Sequence, residues 1–109
     1  MLKYWVWLSE LKGLRNQTRL ALLRRFGDPE SIFYADADEL LLTEGVERSQ
    51  LKLLENHDLA PADRILADCQ RLDIQLLTFS DAAYPGRLKN IYDPPALLYC
   101  KGRLPLLDD

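Results

Sequence analysis

Residues 84–102 read YPGRLKNIYDPPALLYCKG and combine dense turn signals with a short apolar run. Tyr84-Pro85 can open a single helical turn. Asp93-Pro94-Pro95 must be extended, because a residue that precedes proline is pushed out of the α region of backbone space. The following residues, 96–100, are apolar and predict a buried strand. This stretch therefore predicts a helical turn, an extended entry segment and a strand.

The residues just before this stretch predict a helix and another strand. Apolar positions recur at i, i+1, i+4 and i+7 within residues 61–72 and include Cys69, whose thiol we expect to be buried. Residues 74–79 form a short apolar run that is typical of a strand. Two nearly continuous apolar strands are typical of a parallel sheet covered on both faces, and this chain supplies only one helix for that purpose. We therefore expect residues 60–109 to be the first elements of a larger α/β domain.

Residues 1–59 predict a cluster of short helices. The first covers residues 2–11 with one apolar face, and the second begins at Asn16 as N-cap and ends at Gly27. Asp28-Pro29 predicts the start of a third helix, and Asp36 with Glu39 resembles a capping box for a fourth.

A fifth helix is predicted over residues 48–56. Trp5 and Trp7 could stack on nucleobases, but their position beside a helical stripe favours packing in the core. The fold class expected for the whole chain is mainly α.

Two segments, residues 11–16 and 42–48, share the apolar-glycine-apolar pattern of a helix-hairpin-helix element. In that element, the turn and the first residues of the next helix direct backbone N–H groups outward, where they can bind a DNA phosphate. The second segment presents Glu44 and Glu47, which would repel phosphate. The candidate weak phosphate contacts are therefore in and beside the first segment: Lys12, Gly13, Arg15 and Arg19. A solvated turn with a purely structural role is the alternative.

The composition excludes several classes of function. A net charge of −3 and a pI near 5.1 argue against a chain that coats itself in phosphate backbone, so any nucleic-acid contact must be local. One histidine, His57, and two distant cysteines do not have the spacing of a metal site. We predict no catalytic residues, no metal and no cofactor. The chain has no run of eighteen apolar residues and no signal peptide, so we predict a cytoplasmic protein without a membrane partner.

Residues 76–107 resemble the entry segment of the DNA-processing protein family DprA/Smf. The matching positions form an Asp81, Tyr84-Pro85, Asp93-Pro94-Pro95 series that closes on Lys101-Gly102. Residues 13–46 are similar to the helical domain of that family. The resemblance implies a SAM-like or helix-hairpin-helix bundle over residues 1–59, followed over residues 60–109 by the start of an extended Rossmann-like domain.

The resemblance also implies a function. Such proteins bind single-stranded DNA and help to load a RecA-type recombinase during natural transformation and recombination, with no reaction of their own, so we expect no enzyme. A homodimer of the full-length protein is a further implied partner. The main DNA site would lie in the core beyond residue 109, and this chain would be an accessory interaction module. Two alternatives remain open, the first part of a Rossmann-like nucleotide-processing enzyme and an autonomous helix-hairpin-helix DNA binder.

Overall fold

A computed structural model describes residues 2–101, in which helices precede a two-stranded sheet. The elements in chain order are α1 (Leu2–Ser9), α2 (Asn16–Phe26), α3 (Pro29–Phe33), α4 (Ala37–Leu41), α5 (Arg48–Leu54), α6 (Ala60–Arg71), β1 (Ile74–Thr78), α7 (Gly86–Lys89) and β2 (Leu97–Lys101). The described part of the chain is thus mainly α, as predicted, and Gly102, which closes the family-like series, lies outside it.

The helix ends follow some of the predicted signals. Gly27, at a φ of 89°, closes α2 by donating its N–H to a carbonyl of the last turn. The Asp28 carboxylate accepts the N–H of Ser31 at 2.7 Å and so caps α3, as predicted. The prediction of Asn16 as an N-cap is wrong. Arg15 occupies that position with an extended backbone, and the Asn16 side chain is turned away to residues 93–94.

The predicted capping pair of α4 is also wrong. Asp36 makes no side-chain bond to the helix start. The Glu39 carboxylate instead accepts Nη2 of Arg25 at 3.0 Å, and Nη1 of the same arginine donates to the Glu39 carbonyl (2.7 Å) and the Thr43 hydroxyl (3.2 Å). These bonds connect α4 to α2, so Glu39 joins two helices where a local cap was expected.

Helix α1 lies at the centre of the core. Residues 4–8 are all buried, which is more than the single apolar face that the sequence predicts. The reason is that α1 packs against α3, α6 and β2 and is covered on several sides. Trp5 and Trp7 are in the core, as predicted, and the Trp7 indole donates to the Asn56 carbonyl at 2.6 Å.

The two strands pair with each other in antiparallel orientation, with Leu76 opposite Tyr99 and Thr78 opposite Leu97. The prediction of parallel strands is therefore wrong. The connection, residues 79–96, contains the four-residue α7 and turns, and it brings β2 back beside β1 in the opposite direction. The expectation that only one helix covers the strands is also wrong, because α6 packs on β1 and α1 packs on β2.

The core continues across position 59/60, where the sequence predicts a domain boundary. Ala62, Ala96 and Leu97 belong to the same buried cluster as α1, and the Cys69 thiol is buried on α6, as predicted. The two-domain division into residues 1–59 and 60–109 stays a prediction. Across residues 2–101, no helix combines the length and the apolar character that crossing a membrane requires.

Candidate nucleic-acid interface

Two glycine turns face each other beside the start of α2. Hairpin 1, residues 10–15, joins α1 to α2, and hairpin 2, residues 42–47, joins α4 to α5. Gly13 and Gly45 have φ of 88° and 89°, in the left-handed region that favours glycine. Lys12 is exposed on hairpin 1. The structure thus contains both turns that the sequence predicts, and it brings them together.

A buried glutamine, Gln50 of α5, connects hairpin 1 to the helix that follows hairpin 2. Its Oε1 accepts the backbone N–H of Arg15 at 3.1 Å, and its Nε2 donates to the Gly13 carbonyl at 3.3 Å. The Gly45 carbonyl accepts from Nη2 of Arg15 and from the Thr18 hydroxyl, each at 3.3 Å. The expectation of outward-pointing amides on hairpin 1 is therefore wrong for Arg15, whose N–H is bound inside the protein.

Arg19 supports hairpin 1 from within. The residue is 8% exposed, and its Nε donates to the Leu8 carbonyl at 2.8 Å. Nη2 lies 3.4 Å from the carbonyls of Leu11 and Leu14, and Nη1 donates to Oδ1 of Asn16 at 3.1 Å. These carbonyls lie at a helix end and in a turn, where backbone acceptors lack helical partners, and among the described residues only the Leu11 carbonyl has a further backbone donor, the Leu14 N–H at 3.3 Å. The guanidinium is engaged in the fold, so the phosphate contact proposed for this site depends on the other three predicted residues.

The charge of Arg19 is maintained despite its burial. Desolvation lowers the pKa of its guanidinium, while the negative charges of Glu10 and Asp93 raise it. An arginine pKa starts so high that the group stays protonated.

A cleft of about 260 Å³ opens between α2 and hairpin 2, and we name it the Arg15–Arg24 cleft. One face of α2 lines it with Gln17, Thr18, Ala21 and Arg24. Both arginines are exposed, and Ala21 leaves the floor between them open.

Hairpin 2 completes the cleft with Glu44 and Gly45, so the charges lining it are two cations and one carboxylate. Guanidinium groups are suited to phosphate because their donors match its oxygens in pairs. Arg24 is not among the phosphate contacts that the sequence predicts. The signal that could have placed it in the cleft is its spacing of seven from Gln17, which puts both on one helix face.

The start of α2 also holds the proline-rich segment, residues 92–95. Nδ2 of Asn16 donates to Oδ1 of Asp93 (2.9 Å) and to the Pro94 carbonyl (2.8 Å). Nε2 of Gln17 donates to the same Oδ1 (2.9 Å) and to the Tyr92 carbonyl (2.8 Å). We name this arrangement the Asp93 clasp. Its two amide donors, with the charge of Arg19, lower the pKa of Asp93, and desolvation opposes them.

The other residues of the family-like series stabilise the turn between the strands. The Thr78 N–H donates to Oδ2 of Asp81 at 2.8 Å, and the Tyr84 hydroxyl donates to the Pro95 carbonyl at 2.7 Å. Burial raises the pKa of Tyr84. The Phe79 N–H donates to the Ala96 carbonyl at 2.9 Å, where the extended segment enters the sheet. These residues therefore act structurally within the described part of the chain.

The single histidine has a packing role. His57 is exposed at one edge and stacks on Phe33, with the ring centroids 4.3 Å apart. Among the described residues, no three histidine, cysteine, aspartate or glutamate side chains are grouped so that they could hold a metal ion.

Comparison with known proteins finds a family similarity that includes the proline-rich segment. The model of the family described as "DNA recombination-mediator protein A" matches residues 75–109. The DNA processing protein DprA of Bacillus subtilis is 46% identical over 44 residues, which is 40% of this chain. The resemblance to the DprA/Smf family is confirmed. Protein Smf of Borreliella burgdorferi is 28% identical over 100 residues, or 92% of this chain, so the helical part aligns with a DprA/Smf relative as well.

The DprA/Smf relatives are much longer than the aligned stretches. The matches cover 15% of the Bacillus protein and 31% of the Borreliella protein. No solved structure matches the chain. The family model covers Asp81, Tyr84 and the Asp93 clasp acceptor, so the best-supported part of the resemblance is the segment that the start of α2 holds.

Proposed function

We propose that this chain is the N-terminal part of a DNA-processing protein that binds single-stranded DNA and assists a RecA-type recombinase in transformation and recombination. The observation that carries the proposal is the match of residues 75–109 to a family described as a recombination mediator. In this proposal residues 1–59 are a SAM-like domain and residues 60–109 begin a Rossmann-like domain. The whole protein would bind DNA mainly through its core, assemble as a homodimer and act in the cytoplasm.

Within that protein, we propose that the helical part makes an accessory phosphate contact. Lys12, Gly13 and Arg15 lie on hairpin 1, and Arg24 extends the cationic surface along α2. The chain carries a net charge of −3, so general attraction to DNA is small and the contact must be local. We expect weak binding that depends on these side chains, in support of a stronger site elsewhere in the protein.

The proposed role is binding without catalysis. The Thr18 hydroxyl, which lines the cleft, donates to the Gly45 carbonyl and is engaged in holding hairpin 2. Glu44 is the carboxylate of the cleft, and the remaining polar groups are an amide and two guanidinium groups. Guanidinium groups neither release a proton readily nor act as nucleophiles, but they donate hydrogen bonds to anions. This set of side chains therefore suits the binding of an anion better than catalysis.

The test is an NMR titration of the 109-residue chain with a short oligothymidylate at two salt concentrations. Two phosphate contacts on a single strand give a slope of log K against log salt of about −1.4. Arg15→Gln or Arg24→Gln should each weaken binding and reduce that slope by about 0.7. Arg64→Gln, which removes an exposed arginine of α6 outside the cleft, is the matched control and should change neither.

Three results would contradict the proposal. Equal weakening by Arg64→Gln would show that only total charge matters and that the cleft is no site. Binding in the nanomolar range by this chain alone would favour an autonomous helix-hairpin-helix DNA binder. Turnover of nucleotides by the full-length protein would favour the nucleotide-processing enzyme.

A further inference from the structure

We infer that Tyr92 is a base-stacking residue for single-stranded DNA, beside the Arg15–Arg24 cleft. The inference rests on the proposed DNA contact and adds to it a group that binds a base. The residue is 87% exposed, the largest exposed fraction among the exposed large apolar and aromatic residues of the described chain. Almost the whole ring is therefore available to a ligand.

The backbone that carries this ring is held in place. The Tyr92 carbonyl accepts Nε2 of Gln17 at 2.8 Å, and the next residue, Asp93, is the acceptor of the clasp. Pro94, which follows, is buried and has a restricted backbone. An aromatic ring on a fixed backbone has only two side-chain torsions to order when it binds, so little conformational entropy is lost.

The clasp places Tyr92 next to the cationic cleft. Gln17 lines the cleft with Arg15 and Arg24 and simultaneously holds the Tyr92 carbonyl. The backbone of Tyr92 and the two guanidinium groups are therefore connected through a single side chain. The carboxylate of the cleft is Glu44, which lies on the hairpin 2 side.

The chain before Tyr92 adds two further cations. Arg87 and Lys89 of α7 are exposed, and Nζ of Lys89 lies 5.3 Å from the centre of the Phe79 ring. The nearest carboxylate in sequence, Asp93, is bound by two amide donors. The other carboxylate of residues 79–96, Asp81, accepts the Thr78 N–H, so both carboxylates of this loop are bound within the protein.

An exposed ring on a segment held beside a cationic cleft matches single-stranded nucleic acid. Each nucleotide offers a flat base for the ring and a phosphate for a guanidinium, and proteins that bind single strands combine these two contacts. The bases of a duplex are already stacked on one another and do not offer a free face. Stacking on an aromatic ring tolerates any base, so this contact would not select a sequence.

The test compares two probes on the 109-residue chain by NMR titration, an oligothymidylate and an abasic oligonucleotide of the same length. Tyr92→Ala should weaken binding of the oligothymidylate roughly 5- to 150-fold, as expected for loss of one stacked base, and leave the abasic probe unchanged. Tyr92→Phe keeps the ring and should stay within about twofold of the wild type. Tyr34→Ala, which removes another tyrosine that is 67% exposed, is the control and should have no effect.

The outcomes separate the stacking residue from the phosphate contact. If Arg24→Gln weakens binding and Tyr92→Ala does not, the inference is overturned and the proposed phosphate contact stands. If Tyr92→Ala weakens the abasic probe equally, the substitution acts on the fold and the inference is also overturned. Side-chain amide signals of Asn16 and Gln17 report whether the clasp is intact. No binding of either probe by the wild-type chain overturns both proposals.

Discussion

Replacing the buried Arg19 by methionine tests the structural role assigned to it. The substitution keeps most of the apolar stem and removes the guanidinium. The carbonyls of Leu8, Leu11 and Leu14 would then lose a charged donor in a site where water has little access. A buried acceptor without a partner is costly because it has given up its hydrogen bonds to water.

The expected loss follows from the bond lengths. The 2.8 Å bond to Leu8 should contribute about 2 kcal/mol, as hydrogen bonds to charged groups do, and the two contacts at 3.4 Å should together add about 1 kcal/mol. We therefore expect Arg19→Met to reduce the free energy of unfolding by about 3 kcal/mol. For a chain of this size that lowers the melting temperature by roughly 13 °C.

The assay is urea unfolding followed by the fluorescence of Trp5 and Trp7, which are both buried. Arg24→Met is the matched control, because this arginine lies on the same helix but is exposed, and it should change the free energy by less than about 0.5 kcal/mol. A loss below 0.5 kcal/mol for Arg19→Met, or an equal loss for the control, would refute the structural role.

Three further predictions test other parts of the fold. Gly45→Ala should reduce the free energy of unfolding by about 2–3 kcal/mol, because the new Cβ would lie 3.0 Å from the Thr18 hydroxyl in a left-handed backbone. Gly27→Ala, at the same φ with nothing within 4 Å of the new Cβ, should reduce it by about 1 kcal/mol, and equal losses in urea unfolding would contradict this. Tyr84→Phe should cost about 1–2 kcal/mol in the same assay, since the carbonyl that accepts its hydroxyl before β2 would lose its partner, and an unchanged midpoint would count against that bond. The lowered pKa of Asp93 means that the stability from its ionised form is present above about pH 4 and is lost as the pH falls through the folded-state pKa; a carboxyl ¹³C titration with its midpoint at or above the ordinary value would disprove the clasp.

The sequence predicts the local elements well because their signals are local. Glycine at position 27 and the Asp28-Pro29 pair mark a helix end and a helix start through the backbone angles and side-chain donors that they supply. The apolar runs also predict both strands. Their pairing is not predicted, because apolar content alone does not distinguish a parallel sheet from an antiparallel pair covered by two helices.

The candidate site depends on contacts between residues far apart in the chain. Asn16 is suited to capping, but the fold brings Asp93 to it across 77 positions, and the amide binds there instead. In the sequence alone Arg19 looks like a surface cation, because its three carbonyl partners come together around the guanidinium only when the turn is folded. Of the four predicted phosphate contacts, the structure leaves Lys12, Gly13 and Arg15 exposed.

The bridge made by Gln50 has a consequence for comparing sequences. The residue donates to one hairpin group and accepts from another, so a carboxylate would lack the donor and an ammonium would lack the acceptor. Both groups are backbone atoms of hairpin 1, so the contact depends on the amide at position 50 and not on a side chain of hairpin 1. Chains that hold the first turn against the helix after the second turn in this way should therefore carry an amide side chain five positions after the second glycine. An amide at that spacing therefore gives a way to recognise such a docked turn without a structure.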